Sequence, residues 1–200
     1  VVTDPDGNDV TAQFDVAAQP GELVIAKRDV TLKPADAEKP YDGKPLTASE
    51  FQVAAGSFAE GEGVESCTYT GSQTLVGSSE SAIASAAALE GTNLENYNVT
   101  YKPGNLTVTN RAEKYAIEMQ AKSGTAPYSG QEQSVSGFES DVFEFDGVKY
   151  AVSGLTATAK GTDAGSHKGT VEGAAVVTDP DGNDVTAQFD VAAQPGELVI

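Results

Sequence analysis

Apolar and polar positions alternate with period two along most of this chain. Asp29–Ala35 (DVTLKPA) carries Val30, Leu32 and Pro34 on one face, and Tyr115–Ala121 (YAIEMQA) alternates in the same way. The runs SCTYTGS, YNVTYKP, NLTVTN, FEFDGVKYAV and LTATAKG place β-branched or aromatic residues at every second position. That period belongs to strands with one covered face. Pro-Gly at 103–104 and 195–196 stands between two such runs and reads as a hairpin turn. DPDGND at 4–9 and 179–184 reads as a second kind of turn between strands. Ser81–Gly91 (SAIASAAALEG) is rich in alanine, which favours helix. Its counterpart GTVEGAAVVTD has strand character, so strand is preferred and one short helix is the alternative. The expected fold class is all-β, mainly antiparallel. It comprises two small homologous β domains in tandem, forming an elongated rod, with β-grasp-like modules carrying one short helix as the alternative.

Repetition sharpens this picture. Val1–Ile25 and Val176–Ile200 are identical, an offset of 175 residues. A weaker repeat lies inside the 175-residue unit. Tyr97–Val108 (YNVTYKPGNLTV) matches Phe189–Ile200 (FDVAAQPGELVI), and Pro40-Tyr41-x-Gly43 matches Pro127-Tyr128-x-Gly130. The expected organisation is a fragment 1–25 from the end of a preceding repeat, module one at 26–109 and module two at 110–200. Val1–Ile25 holds about two strands, and an isolated hairpin is marginal in water. It is therefore expected to dock on the start of module one or on a neighbouring molecule. Repeats of this kind stack on their neighbours. The short connections between modules limit bending.

Composition narrows the function. Lys and Arg number 12 against 30 Asp and Glu, a net charge of −18. Nucleic-acid binding needs a basic footprint and is not expected. No stretch approaches the length of an apolar membrane span, and no membrane insertion is expected. The apolar fraction is 39% and Trp is absent, so the cores should be thin.

The candidate chemistry is sparse. Asp4, Asp6, Asn8 and Asp9, with their copies Asp179, Asp181, Asn183 and Asp184, place four oxygen side chains in six residues. That set could supply part of a Ca²⁺ shell. The EF-hand spacing is not met, and a turn in which Asp and Asn bond their own backbone is the preferred reading. His167 lies in a Gly/Ser/Thr-rich stretch and reads as an exposed loop residue. Cys67 lies in an alternating run and reads as a packing thiol. Lys33 with Asn98 or Asn105 could be imagined as an isopeptide cross-link. The corresponding positions in module two, Lys122 and Asp190, do not repeat that pair. Asn98-Val-Thr100 and Asn105-Leu-Thr107 match glycosylation sequons. Tyr41 and Tyr128 read as packing tyrosines beside turns. No catalytic constellation and no cofactor site is expected.

KPYDGKPLTA, FAEGEGVESCTYTGSQTLVGSS, ENYNVTYKPGNLTVT and DPDGNDVTAQFDV resemble the tandem MBG-like extracellular repeats of Gram-positive bacterial cell-surface proteins. The resemblance covers Val30–Thr109 and Val176–Ile200, and is weak over 131–160. It implies a stalk repeat of an adhesin, outside the cell, anchored to the wall through regions beyond this chain. Its partners are then neighbouring identical repeats. It implies no catalytic residues. The alternative is an adhesive module that itself binds a host protein or glycan. Phe143–Tyr150 (FEFDGVKY) is the stretch where exposed aromatics would favour that.

Overall fold

A computed structural model describes all 200 residues. The fold is all-β with mixed sheets. Residues 28–109 form seven strands: β1 (Arg28–Pro34), β2 (Ala37–Pro40), β3 (Phe51–Gly56), β4 (Val64–Thr70), β5 (Gly77–Ala88), β6 (Tyr97–Tyr101) and β7 (Gly104–Thr109). Residues 115–199 form nine: β8 (Tyr115–Gln120), β9 (Gly124–Thr125), β10 (Gln133–Ser136), β11 (Val142–Phe145), β12 (Val148–Gly161), β13 (Ser166–Lys168), β14 (Thr170–Thr178), β15 (Phe189–Gln194) and β16 (Glu197–Val199). The Ala-rich segment is strand β5, as preferred. Helical structure is confined to three single 3₁₀ turns, Thr11–Gln13, Leu94–Asn96 and Thr186–Gln188.

No strand of the first half pairs with one of the second. The first half holds the sheets β3-β1-β6 and β2-β7-β5-β4. The second holds β15-β8, β13-β16-β9, and β12 flanked by β10, β11 and β14. Antiparallel pairs predominate, but each half also contains two parallel pairs built from its first and last segments. β1 pairs with β6 and β2 with β7, and partner numbers differ by 69 throughout. β8 pairs with β15 and β9 with β16, and the difference is 74 throughout. Each half therefore carries one broken parallel ribbon in unbroken register.

The Pro-Gly pairs do not make hairpins. Pro103 has no N–H to give to a ladder, and the chain changes sheets there. β6 lies beside β1, whereas β7 lies between β2 and β5. Gly104 is needed because a Cβ would sit 2.7 Å from the Pro34 carbonyl oxygen. The tight hairpin of the fold is instead β11–β12, through Asp146 (φ 53°) and Gly147 (φ 81°). That is the left-handed pair a two-residue primed turn requires.

The core is thin, with 24 of 200 residues buried. Alternation on β1 buries Val30, Leu32 and Pro34, and on β8 it buries Ile117 and Met119. Val30, Leu32, Ile83 and Tyr97 form a small cluster inside the first half. Nine residues form the larger one. Seven of them come from the second half, and Tyr41 and Val108 come from the first.

The two copies of the 25-mer separate local from tertiary causes. Asp4 accepts from the backbone N–H of Asp6 and Asn8, as Asp179 does from Asp181 and Asn183. The Val2 N–H donates to Thr11 Oγ1, as Val177 does to Thr186. Both copies form the same 3₁₀ turn. Beyond it they diverge. Phe189 is 3% exposed and Leu198 3%, while Phe14 is 57% exposed and Leu23 86%. The C-terminal copy finds β8 and β9 as partners, whereas Asp15–Lys27 forms no strand. The expected docking of Val1–Ile25 on the start of the first half is not observed. Unpaired strand residues have no ladder to offset the entropy of ordering them.

Candidate functional site

The most elaborate side-chain constellation lies where the first half meets the second. β2 ends in the turn Tyr41-Asp42-Gly43-Lys44. Lys39 braces it, its ammonium lying 2.6 Å from Asp42 and 2.8 Å from the Lys44 carbonyl. Burial pushes the Asp42 carboxyl up, but the bonds from Lys39 and from the Lys44 N–H outweigh this and hold it below the usual range. Gly43 has φ +72°. A Cβ there would come within 2.2 Å of the Tyr150 hydroxyl, so only glycine lets the turn sit flush against the second half.

Tyr41 is fully buried among residues of the second half. Phe189 meets Tyr150 at 4.8 Å and Phe145 at 5.7 Å, and Tyr115 meets Phe145 at 4.7 Å. Offset and edge-on contacts at such distances are favourable. The Tyr41 N–H donates to the Thr109 carbonyl at 2.9 Å, and the Tyr41 carbonyl accepts from Arg111 at 3.0 Å. Arg111 lies 3.8 Å over the Tyr115 ring and holds the Glu113 carbonyl. The buried Gln188 side chain accepts from the Arg111 N–H and donates to Asn110. The linker 110–114 is thereby bonded to both halves. Tyr115 donates to Asp146. Burial first, and then that bond, push its hydroxyl up to about 12. Burial raises Tyr41 and Tyr150 as well. The last two hydroxyls are neighbours, yet neither makes a hydrogen bond of ordinary geometry, to the other or to any other group. Both are left unpaired, because geometry rather than proximity makes a hydrogen bond.

The residues singled out in the sequence are scattered. In both DPDGND turns the first Asp is occupied by its own backbone and by the Asn side chain. Those bonds, the Asn8 side chain foremost, hold the Asp4 carboxyl low. Asp9 and Asp184 accept from Thr11 and Thr186 and are lowered by those bonds. No three His, Cys, Asp or Glu side chains stand together as a metal site would require. His167 is not in a loop. It lies on β13, half-buried, its ring against Gly161 and its Nε2 2.8 Å from the Asp163 carbonyl. Cys67 is half-buried on β4 against the smaller core, and burial raises its thiol. Lys33 pairs with Asp36 at 2.9 Å, while Asn98 donates to Asp29 and Asn105 to Thr107. The cross-link partners are therefore engaged elsewhere. Asp190 faces Lys114 rather than Lys122. Phe143 and Phe145 pack against the core instead of standing exposed.

Sequence reasoning took Tyr41 and Tyr128 as equivalent and missed that only Tyr41 has a receiving surface. No helix is long and apolar enough to cross a membrane. No family model, curated protein or solved structure matches the chain.

Proposed function

We propose that this chain is a load-bearing spacer, a stalk repeat of a bacterial cell-surface adhesin of the Gram-positive type it resembles. Its task is to hold a binding domain away from the wall. The observation that carries this reading is the parallel ribbon in each half. Because β1–β2 runs parallel to β6–β7, the chain enters at one end of the ribbon and leaves at the other. Nine paired positions fall within the thirteen-residue span 28–40, which at about 3.3 Å per residue sets those ends about 43 Å apart if fully extended. A hairpin-like module would return the chain to where it entered and add no length.

The same geometry bears tension. A pull on Arg28 and Thr109 loads the hydrogen bonds of the ribbon in shear, so they share the force. A pull on Val64 and Ala88 would open the β4–β5 pair one bond at a time. The burial of Tyr41 and the bonded linker restrict bending between the halves. The excess of negative charge keeps neighbouring stalks apart in low salt.

Single-molecule pulling tests this reading. Force applied end to end should meet much greater resistance than force applied through Val64 and Ala88. Equal or lower resistance along the chain axis would remove the load-bearing role.

A further inference from the structure

The joint between the halves leaves one knob and one socket unused. Tyr41 lies four residues beyond Ala37, which pairs with Leu106. Tyr128 lies four residues beyond Gly124, which pairs with Leu198, the counterpart of Leu106. The following glycines adopt the same turn, φ +72° at Gly43 and +71° at Gly130. Yet Tyr41 is 0% exposed and Tyr128 is 64% exposed.

The cluster that receives Tyr41 includes Phe189, which opens the penultimate strand, with the first-strand Tyr115 packed beside it and its hydroxyl bonded to Asp146. The entry end of the first half has a related set, with Arg28 in place of the first-strand aromatic and Phe58 supplying the second ring. Tyr97 opens β6, pairs with Arg28 on β1 and packs 4.9 Å from Phe58. Its hydroxyl donates to Glu62 and accepts from the Ala59 N–H at 3.0 Å. Ile25, Ala26, Arg28, Ala59, Glu62 and Tyr97 are among the residues that line an open cavity of about 560 Å³.

We infer that this cavity receives the Tyr128-Ser129-Gly130 turn of a second copy of the chain, the copy that precedes it in an array. The inference rests on the stalk reading. Identity of Ile25 with Ile200 fixes how two copies follow one another. Ala26 then takes the place of Thr109, whose carbonyl accepts from the Tyr41 N–H. The Tyr128 N–H of the preceding copy is thereby delivered to Ala26, which lines the cavity. Besides carrying Arg28 and Tyr97 where the joint between the halves has Tyr115 and Phe189, this joint has a shorter connection. Seven positions separate Val108 from Tyr115 but only three separate Ile25 from Arg28, so no counterpart of Arg111 intervenes. The knob meets Arg28 and Glu62 directly.

The test uses a two-copy chain in which Ala26–Ile200 follows Ile200 without a linker. Tyr128→Ala is placed in the first copy or in the last. Only the first-copy Tyr128 has a socket to enter. The first-copy variant should lower the melting temperature by several degrees and shorten the maximum dimension in solution scattering. The last-copy variant should change neither. Equal effects of the two variants, an effect of the last-copy variant alone, or no effect of either overturns the joint. If the two-copy chain is itself nearly twice as long as one unit, the stalk reading survives that failure. If its dimension stays near that of the single chain, both fall.

Discussion

Removing Tyr41 tests whether the halves are held together by packing. Its side chain is fully buried. A buried tyrosine removes about 200 Å² from water, or about 5 kcal/mol at about 25 cal/mol per Å². An extended unfolded chain makes that an upper bound. The unpaired hydroxyl offsets about 1–3 kcal/mol of it. Tyr41→Ala forfeits the packing, opens a cavity and also removes the hydroxyl, so a net loss of about 3 kcal/mol is expected. Tyr41→Phe keeps the ring and deletes only the unpaired oxygen, so it should be neutral or stabilising by up to about 1 kcal/mol. Urea unfolding, followed by tyrosine near-ultraviolet dichroism because Trp is absent, reads both variants. For a chain of this size about 3 kcal/mol corresponds to a melting shift of roughly 6–12 °C. A Tyr41→Ala loss under about 1 kcal/mol would mean that the halves do not depend on this contact. A Tyr41→Phe loss as large as that of Tyr41→Ala would mean that the hydroxyl is bonded after all.

The duplicated segment supplies an internal control. Phe189→Ala should cost about 3–5 kcal/mol, whereas Phe14→Ala, in the same local sequence, should stay within about 0.5 kcal/mol in denaturant titrations; similar losses would mean that Phe14 is packed. Gly43→Ala should destabilise well beyond Gly130→Ala in thermal melts. Both force a side chain into left-handed backbone, but only the first drives a Cβ into Tyr150. Equal shifts would show that Gly43 does not abut the second half. The carboxyl of Asp42 is held low in the fold, so its contribution is present above the ordinary carboxylate range and lost as pH falls through its lowered value. The parent should therefore lose more stability than Asp42→Asn between about pH 5 and about pH 2. Parallel loss would exclude the Lys39–Asp42 brace as a contributor.

Much of the fold was legible from alternation alone. Val30, Leu32, Ile117 and Met119 all face inward where period two puts them. Alternation names a strand's faces but not its neighbour. The parallel pairing of β1 with β6 and of β8 with β15 was therefore invisible in any single segment. The Pro-Gly signal misled for the same reason: a proline that ends a ladder reads alike whether the chain turns back or crosses to another sheet. The short turns were legible because their bonds are local, as Asp4 and Asp179 show by repeating each other. The strand after each turn was not, because identical residues fold in one copy and stay exposed in the other. Tyr41 and Tyr128 teach the same lesson at the joint. Their surroundings in sequence agree, and the difference lies in the half that follows.

Solution scattering from chains with one, two and three 175-residue units tests the central claim most directly. If each half passes the chain from one end of its ribbon to the other and the joints are stiff, the maximum dimension rises in near-equal steps with every unit added. A dimension that levels off, or that grows only as the square root of the number of units, would contradict the stalk.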